Sequence, residues 1–198
     1  MANTTLSEAL LGNSAEDRVH AADELDSSKG SAVQFLVALA MAFAGDAKRA
    51  GTIADDLDNR FRENTLVQSY YLPTIRAQLA LRRNDPEAAI EVLQTAAPYE
   101  LSSTGKMYSV YMRGESYLAA HRGNEAAAEF QKILDHRGIV TNAPIGALAH
   151  LGLGRAYVLS GDKTRAKSAY QDFLALWKDA DPDIPMLKQA KEEYARLD

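Results

Sequence analysis

Residues 114–134, GESYLAAHRGNEAAAEFQKIL, and residues 154–174, GRAYVLSGDKTRAKSAYQDFL, overlay without a gap at a constant offset of 40 residues. Gly114, Tyr117, Ala126, Phe130, Ile133 and Leu134 recur as Gly154, Tyr157, Ala166, Tyr170, Phe173 and Leu174. A fixed period of roughly 20 to 50 residues marks units that are each one supersecondary element, unable to bury an apolar face alone, so the units stack. Within each unit the Gly and the aromatic three residues later share one helical face. After a short break, an Ala and an aromatic four residues later share a face of a second helix. The pattern predicts helix, turn, helix, with the small residues letting paired helices approach and the aromatics filling the space beside them. In such a stack, function lies on the surface.

Leu153-Gly154-Arg155-Ala156-Tyr157, then Gly161-Asp162 at the turn, then Ala166 and Tyr170, resemble the tetratricopeptide repeat, whose pattern runs Leu-Gly, two residues, Tyr, and later Ala, three residues, Phe. The earlier copy departs from it. Arg113 stands where Leu is usual, and His121-Arg122 replace Gly-Asp, so that turn is expected one residue out of register. The resemblance implies an all-α, right-handed α-solenoid of roughly four to five helix pairs closed by a C-terminal capping helix.

Weaker copies lie upstream. Phe35 to Ala44 is an apolar run closed by Gly45-Asp46 and followed by Ala50, Ile53, Ala54, Leu57 and Phe61 at helical spacing. Tyr71 to Leu81 is followed by Asn84-Asp85-Pro86, with Pro at the first helical position where its missing N–H costs nothing, and then by Ala89, Leu93 and Ala96. The equivalent alanines Ala50, Ala89, Ala126 and Ala166 exceed the roughly 34-residue spacing of the standard repeat. The surplus is assigned to loops over Tyr99 to Thr104 and Asp135 to Pro144. The chain is therefore expected to be a single repeat domain over 1–198: a partial first repeat at 1–28, repeats at 31–64, 70–98, 106–136 and 146–178, and a capping helix at 183–197.

At the N-terminus, Asn13-Ser14 followed by Glu16, Val19, Ala22 and Leu25 predict a capped amphipathic helix, with Leu6 to Leu11 before it as a partner. That first repeat looks truncated, as a piece cut from a longer protein would be. At the C-terminus, Ile184, Leu187, Lys191, Tyr194 and Leu197 form one stripe with Lys188, Gln189, Glu192, Glu193 and Arg196 opposite, and this helix is expected to cover Phe173, Leu176 and Trp177.

Apolar residues make up 46% of the 198 and charged residues 25%, which is ordinary for a packed soluble domain. The longest apolar run, Phe35 to Ala44, is about half a membrane span, so no bilayer insertion is expected. The first residues, Met1 to Thr5, have neither a basic region nor an apolar stretch, and no signal peptide is expected. A net charge of −5 argues against nucleic acid as the main partner. With no Cys there is no disulfide or thiolate chemistry, although that does not fix the compartment.

The segments Tyr71 to Leu81, Ala97 to Leu101, Phe130 to Gly138, Ala147 to Gly154 and Asp172 to Asp183 resemble the C-terminal tetratricopeptide region of large bacterial serine/threonine protein kinases, over about Gly30 to Asp198. This resemblance implies a kinase domain elsewhere in the parent protein and a repeat array that senses or docks. The kinase chemistry itself is missing from the chain. Asp135-His136-Arg137 has a catalytic loop's letters in the wrong order and no downstream Asn, and Gly152-Leu153-Gly154 falls inside a predicted helix where its role is packing. The chain is read as non-catalytic. His20, His121, His136 and His150 never stand three or four residues apart, so no metal site is expected. Asp179, Asp181 and Asp183 begin like a calcium loop but lack its Gly and terminal Glu, and are read as a helix-ending turn. No cofactor is expected.

In a tetratricopeptide array the first helix of each pair lines the inner groove. Carried over by repeat, the groove positions are Phe35 and Leu39, then Tyr71, Thr74, Gln78 and Arg82, then Tyr108, Tyr111, Glu115 and Leu118, then Leu151, Arg155 and Val158. The candidate partner-binding set is Tyr71, Gln78, Arg82, Tyr108, Tyr111, Glu115 and Arg155, because Tyr and Arg combine apolar area with a polar tip or a planar fork. The same tyrosines would serve equally as packing between repeats. The expected partner is a protein or peptide. An array that holds the parent protein as a homo-oligomer and a groove that senses a small molecule stay open as alternatives.

Overall fold

A computed structural model of the chain describes residues 2–12, 29–102 and 105–197. Those residues are all-α, with no strand among them. In chain order the helices are α1 (Ala2–Leu11), α2 (Ser31–Phe43), α3 (Ala47–Arg60), α4 (Leu72–Arg82), α5 (Pro86–Leu93), α6 (Tyr108–Ala119), α7 (Gly123–Asp135), the short α8 (Arg137–Val140), α9 (Ile145–Leu159), α10 (Lys163–Leu176) and α11 (Pro185–Ala195). Four helical hairpins, α2–α3, α4–α5, α6–α7 and α9–α10, carry the core, and the first helix of each packs against the first helix of the next.

One turn closes all four hairpins. Gly45, Asn84, His121 and Gly161 adopt positive φ angles of 87°, 59°, 57° and 77°. The next residue's N–H reaches five residues back, from Asp46 to Met41, Asp85 to Ala80, Arg122 to Tyr117 and Asp162 to Tyr157, at 2.8–3.0 Å. This left-handed residue satisfies carbonyls at the helix end that would otherwise be unpaired. Asp46, Asp85 and Asp162 then cap the second helix, their side chains accepting from the backbone N–H of Arg49, Ala88 and Arg165. His121-Arg122 keep this register, so the expected one-residue displacement does not occur. Arg122 makes no cap bond and instead lies over the Tyr117 ring, 4.7 Å from its centroid.

The glycine and aromatic repeat is a matter of close approach. The Phe130 ring, fully buried on α7, lies against two glycines, because a Cβ added at Gly114 or Gly152 would come within 2.7 or 2.5 Å of it. A Cβ at Gly154 would come within 2.8 Å of Tyr170. Ala50, Ala89, Ala126 and Ala166 are all fully buried.

Several elements depart from the sequence expectations. The first helix of the second hairpin starts before residue 70, as a wider π-helical turn over Val67–Tyr71 runs into α4. Pro73 explains the widening, since it lacks an N–H and its ring would crowd the carbonyl four residues back. The connection after α7 holds the short helix α8 where a loop was expected. Residues Gln94–Tyr99 form a 3₁₀ turn. The predicted helix from Asn13 to Leu25 lies outside the described residues, but α1 before it packs on α2 and buries Thr5, Leu6, Ala9 and Leu10. Just past α1, Gly12 at φ +99° sits beside Pro185 at the start of α11, where a Cβ would come within 3.1 Å.

The last helix, α11, packs on α10 and buries Leu187 and Ala190. It does not cover Leu176, which is 61% exposed. Trp177 packs on Phe173 instead, with ring centroids 4.9 Å apart. Asp179 to Asp183 form the expected turn, in which the Asp183 N–H donates to the Asp181 carboxylate at 2.8 Å.

Candidate functional site

Arg155 on α9 lies at the centre of the best-defined polar cluster among the predicted site residues. Its guanidinium makes a two-pronged contact with Glu193 of α11, Nε to Oε2 at 2.9 Å and Nη2 to Oε1 at 3.0 Å. The Tyr170 hydroxyl donates to the same Glu193 Oε2 at 2.9 Å, and Gln189 Nε2 to Oε1 at 2.9 Å. A planar fork meeting a carboxylate in this way is a strong, geometrically selective pair. Burial alone would depress the Arg155 guanidinium, but the hydrogen bond to Glu193 and the charges of Glu115 and Glu193 raise it overall.

Glu115 on α6 completes a charge series. Burial raises its carboxyl above the usual range, against the lowering influence of the Arg155 charge and of the Tyr111 hydroxyl. Glu115, Arg155 and Glu193 stand at nearly equal sequence intervals, and their charges act on one another. Sequence reasoning put Glu193 on the polar side of the last helix and missed this role. The repeat interval was the signal that could have found it.

The remaining predicted residues are placed as follows. Tyr71 is buried and stacks on Phe35, with centroids 4.3 Å apart and planes 8° from parallel. Tyr108 is buried, and its hydroxyl pKa is raised by burial and by Tyr70. Tyr111 is buried edge-on to Phe130 at 5.9 Å, its hydroxyl raised first by burial and then by Glu115. Gln78 is buried, and Thr74 beside it donates to the Tyr70 carbonyl at 2.7 Å. Arg82 is exposed and its guanidinium lies over the Gly45 turn. The structure thus brings Tyr111, Glu115 and Arg155 together and leaves Tyr71, Gln78 and Arg82 on the earlier hairpins.

Tyr70, which sequence reasoning passed over for its neighbour, ties two hairpins together. Its hydroxyl donates to the Gly105 carbonyl at 2.9 Å and accepts from the Ser109 N–H at 3.2 Å, and burial pushes its pKa up to about 12. Arg113, noted above for standing where Leu is usual, is 5% exposed and bridges Glu100 at 2.8 Å and Glu129 at 2.6 Å. It pins the connection after the 3₁₀ turn to α7.

Beside the Arg155–Glu193 pair opens a cavity of about 410 Å³ whose apolar lining is Leu118, Val158, Leu159 and Leu197, with Arg196 at its edge. Val158 and Leu159 are each 43% exposed. Among the described residues no cluster of side chains has the composition to hold a metal ion, and no helix is long and apolar enough to cross a membrane. No family model matches the chain, and no curated protein or solved structure matches it either.

Proposed function

We propose that this chain is a tetratricopeptide-like, right-handed α-solenoid that serves as a non-catalytic docking module, and that it corresponds to the C-terminal repeat region of a bacterial serine/threonine protein kinase. What supports the solenoid is the recurrence of one turn chemistry at four hairpins and the contact of each first helix with the next. What supports docking is the cavity beside Arg155. It leaves two half-exposed aliphatic side chains, Val158 and Leu159, next to a guanidinium and a carboxylate. Apolar area rimmed by a planar cation is the composition of an interface anchor. The partner that fits is a protein segment with an apolar side chain for the Leu118–Leu159 floor. The buried tyrosines contribute by fixing the first helices rather than by contact.

The test is affinity capture from the source lysate with the wild-type chain and with Leu159→Asp, which alters an exposed position and should leave the melting temperature nearly unchanged. The expected result is a protein retained by the wild type and lost with the variant. Equal retention by both would refute this docking surface.

A further inference from the structure

A second cavity, of about 950 Å³, opens where α9 begins and α10 ends, away from the Leu118–Leu159 floor. His150 lines it and is only 9% exposed. Its Nδ1 faces Asp172 Oδ2 at 3.7 Å, an ion-pair distance beyond hydrogen-bond reach. An imidazole lining a roomy cleft, with no close partner on its Nδ1 side, is open to a ligand from outside the chain.

The rest of the lining indicates what that partner is. Arg137, at the start of α8, forms no ion pair among the described residues. Gly146 and Ala147, in the first turn of α9, also line the cavity, their N–H groups bonded to the carbonyls of Ala143 and Pro144. Facing these are Val140, Pro144, Leu176 and Trp177, an apolar wall whose Leu176 is the 61% exposed residue that α11 leaves uncovered. Thr141, also in the lining, holds φ 50° and ψ −118°, a conformation that a β-branched residue rarely adopts and that clusters at ligand sites.

We propose that this cavity is a ligand site for a small monocarboxylate with an apolar body, the carboxylate taking Arg137 and His150 Nε2 and the body lying against Val140, Pro144, Leu176 and Trp177. Asp172, on the Nδ1 side of the ring, favours the imidazolium through its charge, so that Nε2 carries a proton to donate when the acid is bound. Without ligand, burial and then the nearby Arg137 hold the His150 pKa low against the raising charge of Asp172 on α10, and an added carboxylate tips that balance. Binding of the acid therefore favours the protonated imidazole.

The probe is 4-phenylbutyrate, compared with its neutral amide, 4-phenylbutyramide, each titrated into the full chain. Trp177 is the only Trp, so its emission reports the cavity directly. The acid should bind saturably and shift the emission. The amide should bind about tenfold more weakly, the usual scale of a lost charge-assisted hydrogen bond. Acid affinity should rise as the pH falls from about 8 to 6. Arg137→Gln, at an exposed position, should weaken the acid by about tenfold and leave the amide unchanged. Absence of saturable acid binding at low millimolar concentration, equal binding of acid and amide, or acid binding indifferent to Arg137→Gln would each overturn the proposal. If the variant fails to fold, the acid and amide comparison on the unaltered chain still decides.

Discussion

Exchanging glycine for alanine at two helical positions of this chain should move stability in opposite directions. Gly51 on α3 has no atom within 4 Å of an added Cβ. Gly51→Ala should therefore stabilise by about 0.5–1 kcal/mol, because alanine loses less backbone freedom on folding. Gly152 on α9 would gain the same helical preference, but its Cβ would come within 2.5–2.6 Å of three ring carbons of Phe130. That ring is fully buried and already meets Gly114 on its own hairpin, so it has little room to retreat. Overpacking of this kind costs about 1–3 kcal/mol, which outweighs the propensity gain and leaves Gly152→Ala about 1–2 kcal/mol less stable. For a chain of this size that is a fall in Tm of roughly 2–8 °C, read by circular dichroism or calorimetry. Phe130→Leu in the Gly152→Ala background should cost less than it does alone, since the smaller side chain relieves the clash. Equal shifts at the two glycines, or strict additivity with Phe130→Leu, would refute the account of α9 packed on α7 through glycine.

Glu193→Ala leaves the Arg155 fork and the Tyr170 hydroxyl without their shared carboxylate, and should lower stability by about 1–3 kcal/mol in urea unfolding. His121→Gly should raise Tm, because it relieves the positive φ of 57° at a turn where two sister hairpins use glycine; the gain is about 0.5–1 kcal/mol. Tyr70 titrates at about 12 in the fold against an ordinary 10.0, so the unfolded chain gives up its proton first; the stability from its burial is complete below pH 10 and lost between there and 12, and urea midpoints should fall over that interval, less so for Tyr70→Phe.

The features that the sequence made readable are local ones. Gly45, Gly161, Asp46 and Asp162 carry their turn chemistry within a few residues, and Gly154 with Tyr170 shows the period because each repeat reuses it. The rest depends on what each side chain meets across the stack. Tyr71, Tyr108 and Tyr111 have a spacing that fits a groove or a core equally, and only the neighbouring helices, with Phe35, Tyr70 and Phe130 on them, decide for burial. The π turn before Pro73 has no distinct composition, so nothing in the spacing of that segment marks it. Glu193 was misplaced because a stripe on one helix does not show which neighbour it faces, and His150 carried no signal at all, being alone in sequence and sharing its cavity with Arg137 of α8 and with Asp172 and Trp177 at the end of α10.

The meeting of Gly12 with Pro185 bears on how the molecule comes apart. Arrays whose units touch only their neighbours fray from either end, and the loss of one terminal unit leaves the others nearly as they were. Here Gly12, just past α1, meets Pro185 at the start of α11, so the two ends of the chain touch at one point. Closing that contact spans nearly the whole polypeptide, which makes it a late event in folding. Once made, it joins the two ends of the chain, so that hydrogen exchange beside Gly12 and beside Pro185 should rise and fall together.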